Sequence, residues 1–115
     1  ATRTLLRNST GQLGASLIFN VHQLPCFTLW KNTPADADGY VTGLEPGTNF
    51  PNPRTFDRAQ GRTVRLTPGE SATFDIRIEI HATATEVEAA EAAASQLHGT
   101  SATRLLDQPR KGWSP

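Results

Sequence analysis

The sequence predicts an all-β domain closed by one short helix, on three observations. Residues 71–81 alternate apolar and polar positions over their whole length, the period of a half-buried strand. Two shorter runs, CFTLWK at 26–31 and YVTGL at 40–44, are dense in β-branched and aromatic residues. After Thr83 the chain changes character, and a capping signal leads into an alanine-rich stretch.

Taken in order, residues 13–23 read as a strand. Leu13, Ala15, Leu17, Phe19 and Val21 fall on one face, with Ser16, Asn20 and His22 on the other. Leu24-Pro25 ends it, because proline cannot donate to a ladder. Residues 26–31 form the second strand. Residues 32–39 (NTPADADG) form a turn-rich loop. Its acids, Asp36 and Asp38, do not make a calcium loop. Counted from Asp36, the sixth and twelfth positions hold Val41 and Gly47 where glycine and glutamate are needed.

Residues 40–44 are a third strand, ending at Glu45-Pro46. Residues 47–61 (GTNFPNPRTFDRAQG) are expected to be a long irregular loop, anchored on an apolar surface by Phe50 and Phe56. Residues 63–66 read as a strand. The turn Thr67-Pro68-Gly69-Glu70 then joins it, hairpin fashion, to the strand at 71–81. In that last strand Ala72, Phe74, Ile76, Ile78 and Ile80 should face a core, and Thr73, Asp75, Arg77, Glu79 and His81 should face water. A helix over 86–97 follows, capped by Thr83 with Glu86 or by Thr85 with Glu88. Val87, Ala90, Ala94 and Leu97 make its stripe and Gly99 stops it. The tail from Thr100 has no period; Trp113 is its one residue suited to docking.

Composition removes several function classes. The 11 Lys and Arg balance 11 Asp and Glu, for a formal net charge of zero. A nucleic-acid partner and a polybasic membrane surface both lose their electrostatic basis. No apolar run approaches the ~20 residues of a membrane span. Cys26 is the single cysteine, which excludes an internal disulfide and a cysteine zinc site and fits a reducing, cytoplasmic compartment. Glycine-rich phosphate loops, GxSxG and histidine pairs at metal spacing are absent, so no cofactor and no metal are expected. With 115 residues, no methionine and no signal-peptide pattern, the chain reads as a segment of a larger domain, Ala1 being a processed or cut end.

Few residues can carry chemistry. His81 continues a solvent face, and His98 sits at a helix C-terminus where the dipole favours a cation. His22, on the polar face of its strand, is the histidine that could line a site. Cys26, between Pro25 and Phe27, is expected to be buried and inert. Glu45 stands at a strand end, before a proline and at the mouth of the long loop, where a general base could be placed.

Three stretches then carry a resemblance: GYVTGLEP at 39–46, NFPN at 49–52, and LTPGE at 66–70 running into the alternating strand. Their order and separations resemble the C-terminal end of aldose 1-epimerases (galactose mutarotases), over roughly residues 11–81. The wording of residues 27–62 looks closer to a divergent bacterial branch of unassigned substrate. The resemblance implies the C-terminal segment of a galactose mutarotase-like antiparallel β-sandwich over 1–82; the amphipathic alanine-rich helix at 83–98 and the irregular tail at 99–115 do not match a standard member of the family. It implies a reaction at the anomeric centre of a sugar. A glutamate takes the proton of the anomeric hydroxyl, a histidine protonates the ring oxygen, the ring opens, the C1–C2 bond turns, and the ring recloses.

Glu45 matches the family's base. Trp30 and Phe50 would offer aromatic faces to the sugar, and Lys31, Asn49 and Arg54 would bind hydroxyls or a phosphate. The bland reading puts Trp30 in a core and makes Arg54 an ordinary loop cation. The family's acid histidine lies far upstream of its glutamate, and only 44 residues precede Glu45 here. His22 does not match it, so an upstream segment or companion chain would have to supply the acid, and this chain alone would be inactive. The alternatives are a non-catalytic carbohydrate-binding or structural β-sandwich, and a stand-alone β interaction domain. On any of these readings the isoleucine face of the last strand needs an opposing layer, and should be exposed in this chain alone.

Overall fold

The computed structural model describes residues 1–100 and 102–115. Its elements run β1 (Thr2–Arg7), β2 (Gly14–Phe19), β3 (Cys26–Lys31), β4 (Thr42–Gly47), α1 (Arg54–Ala59), β5 (Ile76–His81) and α2 (Ala84–His98), with a 3-10 turn at Asp36–Asp38. The strands pair antiparallel in two sheets, β1-β2-β5 and β3-β4. The chain is therefore β-rich with one helix near its C-terminus, as the sequence predicts. It divides into two compact units, residues 1–21 with 74–107 and residues 22–73 with 108–115.

The first unit is the three-stranded sheet with α2 on one side. Register places Arg3, Leu5, Arg7, Gly14, Ser16, Ile18, Arg77, Glu79 and His81 on one face. That face, the more polar of the two, carries the helix. A Cβ added to Gly14 would lie 3.3 Å from Leu5 Cδ1 and 3.4 Å from Val87 Cγ2, so the sheet's bare backbone is what lets α2 settle there. Val87 and Ala90 are buried against it. Arg7 reaches Glu91 of α2 at 3.5 Å, and Arg3 spans β2 to Glu79 at 3.5 Å.

This reverses the expected orientation of the last strand. Ile78 and Ile80 are 66% and 73% exposed, whereas His81 is buried, with its Nε2 2.8 Å from the buried Ser16 Oγ. The cause is the connection. Only Ala82 separates β5 from the helix N-cap Thr83, so α2 must fold back over the face toward which His81 points. Alternation divides a strand into two faces but does not say which one its neighbour covers. The isoleucine face is open in this chain, in line with the expected need for an opposing layer.

Strand limits also differ from the sequence reading. β5 begins only at Ile76, because its partner β2 runs out at Phe19. Residues 71–75 therefore lie outside the ladder, and the strand read at 63–66 is irregular, since the hairpin arm it needed does not form. The turn between them is present, closed by Glu70 N–H donating to Thr67 O at 3.0 Å. β1 was not predicted. Its apolar residues do not alternate, and Arg3 and Arg7 on its helix-bearing face form ion pairs, with Glu79 of β5 and Glu91 of α2. β2 is shorter than the run at 13–23.

The helix cap is the Thr83–Glu86 box. Glu86 N–H donates to Thr83 Oγ1 at 3.3 Å, and Glu86 Oε2 accepts from Ala82 N at 2.8 Å and Thr83 N at 3.2 Å. The bond from Ala82, helped by those at Thr83 and by the charge of His81, outweighs desolvation and holds the Glu86 carboxyl below its ordinary range.

In the second unit, β3 and β4 form a two-stranded ladder, Cys26 opposite Gly47 through Lys31 opposite Thr42. β4 starts later than expected and runs through Glu45-Pro46. Pro46 is tolerated because β4 has a free edge. The loop expected to be wholly irregular contains α1. Six residues that follow Pro51 and Pro53 are too few to show a helical period, so local pattern carries no signal of α1.

Two outcomes follow. Thr83→Ala should cost about 1 kcal/mol in urea unfolding, the usual worth of an N-cap side chain. An apolar fluorescent dye should bind this chain in its folded state, and Ile78→Thr with Ile80→Thr should remove most of that signal.

Candidate functional site

Two surfaces of the second unit hold the chemistry-bearing residues. The first is one face of the β3-β4 ladder. Strand alternation puts Cys26, Thr28 and Trp30 on the same face as Gly47, Glu45 and Gly43. Gly43 stands directly opposite Trp30, and a Cβ there would collide with Glu45 Oε1. The Glu45 side chain is thus laid across bare backbone, toward the Trp30 end of the face. Trp30 is 48% exposed rather than part of a core, and its carbonyl accepts the Thr42 hydroxyl at 2.5 Å. Glu45 is exposed. Lys31 is exposed on the opposite face, beside Thr42, and Arg54 is an exposed cation opening α1. Of the six candidates, then, the ladder joins only Trp30 and Glu45.

Asn49 and Phe50 belong to a different construction. Asp57 of α1 is fully buried. Burial pushes its carboxyl up, but hydrogen bonds from Arg62, Asn52 and Asn49, with the Arg62 charge, outweigh that and hold it below its ordinary value of 3.8. Arg62 Nε donates to Oδ1 at 2.9 Å and Arg62 Nη2 donates to the same oxygen. Asn52 Nδ2 reaches Oδ1 and Asn49 Nδ2 reaches Oδ2, both at 3.2 Å. The same side chains hold the tail. Arg62 Nη1 donates to Gly112 O and Asn52 Nδ2 to Trp113 O, each at 2.7 Å. Trp113 docks on Phe50, ring centroids 5.2 Å apart, while the Arg62 guanidinium lies over Phe50 and Phe56 at 5.3 and 5.7 Å. Asn49 and Phe50 therefore build the loop rather than a free ligand surface. Sequence reasoning passed over Asp57, Asn52 and Arg62, because their partners meet only once α1 has turned the chain.

The second surface is a cavity of about 400 Å³ lined by His22, Gln23, Pro25, Cys26, Thr48, Gly61, Arg62, Thr63 and Val64. His22 thus does line a concavity. Cys26 is buried, and desolvation, opposed by the charge of Arg62, raises its thiol pKa, which leaves it a neutral wall rather than a nucleophile. Thr63 Oγ1 is buried and has no hydrogen-bond partner. A cavity of about 470 Å³ in the first unit is lined chiefly by Ile18, Phe19, Phe74 and Ile76. Glu45 lines neither cavity. Among the described residues no group of three or more His, Cys, Asp or Glu is placed to hold a metal ion, and no helix is long and apolar enough to cross a membrane.

Arg62→Met, which strands the buried carboxylate, should cost about 3–5 kcal/mol in urea unfolding. Asp57 also sets an acid limb. Its folded pKa is depressed, so its contribution is complete above the unfolded value near 3.8 and is lost as pH falls through the lower folded value. Thermal melts should show this loss below about pH 4, and Asp57→Asn should lower stability near neutrality and flatten that limb.

No curated protein and no solved structure gives a significant match to the chain. A family model does: the one described as a domain of unknown function (DUF4432) matches residues 1–80, from the start of the chain to the penultimate residue of β5. With well over half its length matched, the chain belongs to the DUF4432 family of domains of unknown function.

Proposed function

We propose that this chain is the base-bearing segment of a carbohydrate epimerase of the aldose 1-epimerase kind, acting on the anomeric centre of a sugar. The observation that carries the reading is the pairing of Trp30 and Glu45. A half-exposed indole offers an apolar platform to the C–H face of a sugar ring. The carboxylate beside it, held over bare Gly43, can accept from ring hydroxyls. The family resemblance at residues 39–46 adds support.

On this reading Glu45 takes the proton from the anomeric hydroxyl as the C1–O5 bond opens. The ring oxygen collects a proton from an acid supplied outside this segment, and reclosure delivers the other anomer. Lys31 and Arg54, whose side chains are exposed and uncommitted to the Asp57 network, can meet ligand groups only from beyond the Trp30 face.

One observation favours a second reading, carbohydrate binding without catalysis. Glu45 is exposed and outside both cavities, and a solvated carboxylate binds hydroxyls well but is a poor proton acceptor in a ring opening. Polarimetry on the intact protein, following the mutarotation of α-galactose, separates the two. The epimerase reading expects acceleration over buffer and a loss of about 100-fold or more with Glu45→Gln. Acceleration that Glu45→Gln leaves untouched overturns the catalytic role. Absence of acceleration, with Trp30→Ala abolishing sugar binding, establishes the binding reading.

A further inference from the structure

We propose that the outer edge of β5 is a self-association surface, on which a second copy of this chain pairs its own β5 antiparallel about a twofold axis through Ile78. The two three-stranded sheets then run on as one. None of the residues involved belongs to the β3-β4 ladder, so the inference stands apart from the carbohydrate reading.

The order β1-β2-β5 gives β5 one neighbour. Its other side presents backbone N–H and C=O groups outside the ladder, a template to which another strand can be added. Exposure is graded toward that side. In the cross-strand pairs Phe19–Ile76, Leu17–Ile78 and Ala15–Ile80, the β2 residue is buried or half-buried and the β5 residue is exposed. The open apolar surface thus lies at the edge, where an added strand covers it, rather than over the middle strand. The helix leaves this edge accessible. On the face it covers, α2 reaches Arg7 of the far strand β1, while Arg77 of β5 stays exposed.

The sequence of β5 selects a copy of itself. Ile76-Arg77-Ile78-Glu79-Ile80 places opposite charges symmetrically about Ile78. With Ile78 opposite the partner's Ile78, Arg77 stands opposite the partner's Glu79, and Glu79 opposite the partner's Arg77. Ile76 then meets the partner's Ile80. Opposed residues have Cβ atoms about 5 Å apart, so these contacts form together. Side-chain parity is kept, with the charged pairs on the helix-bearing faces and the isoleucines in one row on the open faces. Slipping the register by two residues in either direction sets Arg77 against the partner's Arg77 or Glu79 against the partner's Glu79, so charge favours the centred register.

Existing pairs are compatible with this. Glu79 Oε1 accepts Arg77 at 3.1 Å and Oε2 accepts Arg3 at 3.5 Å. A carboxylate oxygen has room for a second donor, so association adds to these bonds. The other edge carries no such match: β1 puts Arg3, Leu5 and Arg7 on the helix-bearing face, with no acid to meet the cations. A twofold pairing uses up both β5 edges and therefore closes at a dimer.

The test is sedimentation equilibrium on this chain as wild type, as Arg77→Glu, as Glu79→Arg and as an equimolar mixture of the two variants, with circular dichroism to verify that each is folded. Wild type is expected to form a dimer in a concentration-dependent equilibrium. Each variant alone sets like charges opposite one another and is expected to dimerise more weakly by about 10-fold. In the mixture an acidic strand meets a basic one, and a heterodimer of near wild-type affinity is expected. A second arm does not depend on the charges: Ile78→Cys should cross-link to its own copy under mild oxidation and Ile76→Cys should not, the native Cys26 being buried. Wild type that stays monomeric at its highest soluble concentration leaves the edge to some other segment and overturns the proposal. So do variants that associate as wild type does, or a mixture that gains nothing over its components. Association that survives both charge reversals but is lost in Ile78→Thr with Ile80→Thr comes from stacked isoleucine faces, and also overturns edge pairing.

Discussion

The second unit depends on one buried carboxylate. Asp57 cannot be left alone in the interior, and the groups that satisfy it come from both sides of α1. Asn49 and Asn52 come from the proline-rich loop, and Arg62 follows α1. Arg62 and Asn52 also carry the tail through Gly112 and Trp113. The network thereby converts two segments without regular ladders into one fixed wall. That wall includes Arg62 and, beside it in sequence, Thr63, both lining the cavity. A hydrophobic anchor alone would leave the loop free to slide, whereas directed bonds to two carboxylate oxygens give it a register.

The first unit obeys a different constraint, the length of a connection. One residue between β5 and the cap of α2 decides which sheet face the helix covers. The Thr83–Glu86 box fixes where the helix begins, and Gly14 removes the side chain that would hold it off the sheet. Charged residues then find partners beneath or beside the helix, and the isoleucines are left facing outward. An open row of this kind is a consequence of topology, not of composition.

Much of this was legible in the residues. The C-terminal helix, its stop at Gly99, β3 to the residue, the turn at Thr67–Glu70 and the burial of Cys26 all follow from local signals. These features are settled within a few positions of themselves. What could not be read is settled at a distance. The ladder ends of β5 depend on where β2 stops, and the fate of residues 63–66 depends on an arm that never pairs. His81 shows the same limit: it lies in the polar set of its strand, yet a partner 65 residues away and a helix overhead make that set the covered one. In the candidate site, Trp30 and Glu45 could be nominated singly, but their shared face required the register of β3 against β4. Asp57 could not be nominated at all without α1.

The geometry of Glu45 bears on what chemistry this face can perform. Proton abstraction from a sugar hydroxyl gains from a base shielded from water, and for the exposed Glu45 that shielding would have to come from something laid over the face. A saccharide could itself provide part of that cover, with one ring stacked on Trp30 and displacing water from the carboxylate. On the epimerase reading the acid would arrive with the remaining cover and would have to reach the ring oxygen, which is bonded to the same carbon as the hydroxyl that Glu45 deprotonates. The binding reading would ask for none of this, only for an exposed indole and an accepting carboxylate on one face. On the proposed reading the β3-β4 face would supply the stacking platform of Trp30 and the carboxylate of Glu45, and the acid would have to come from outside it.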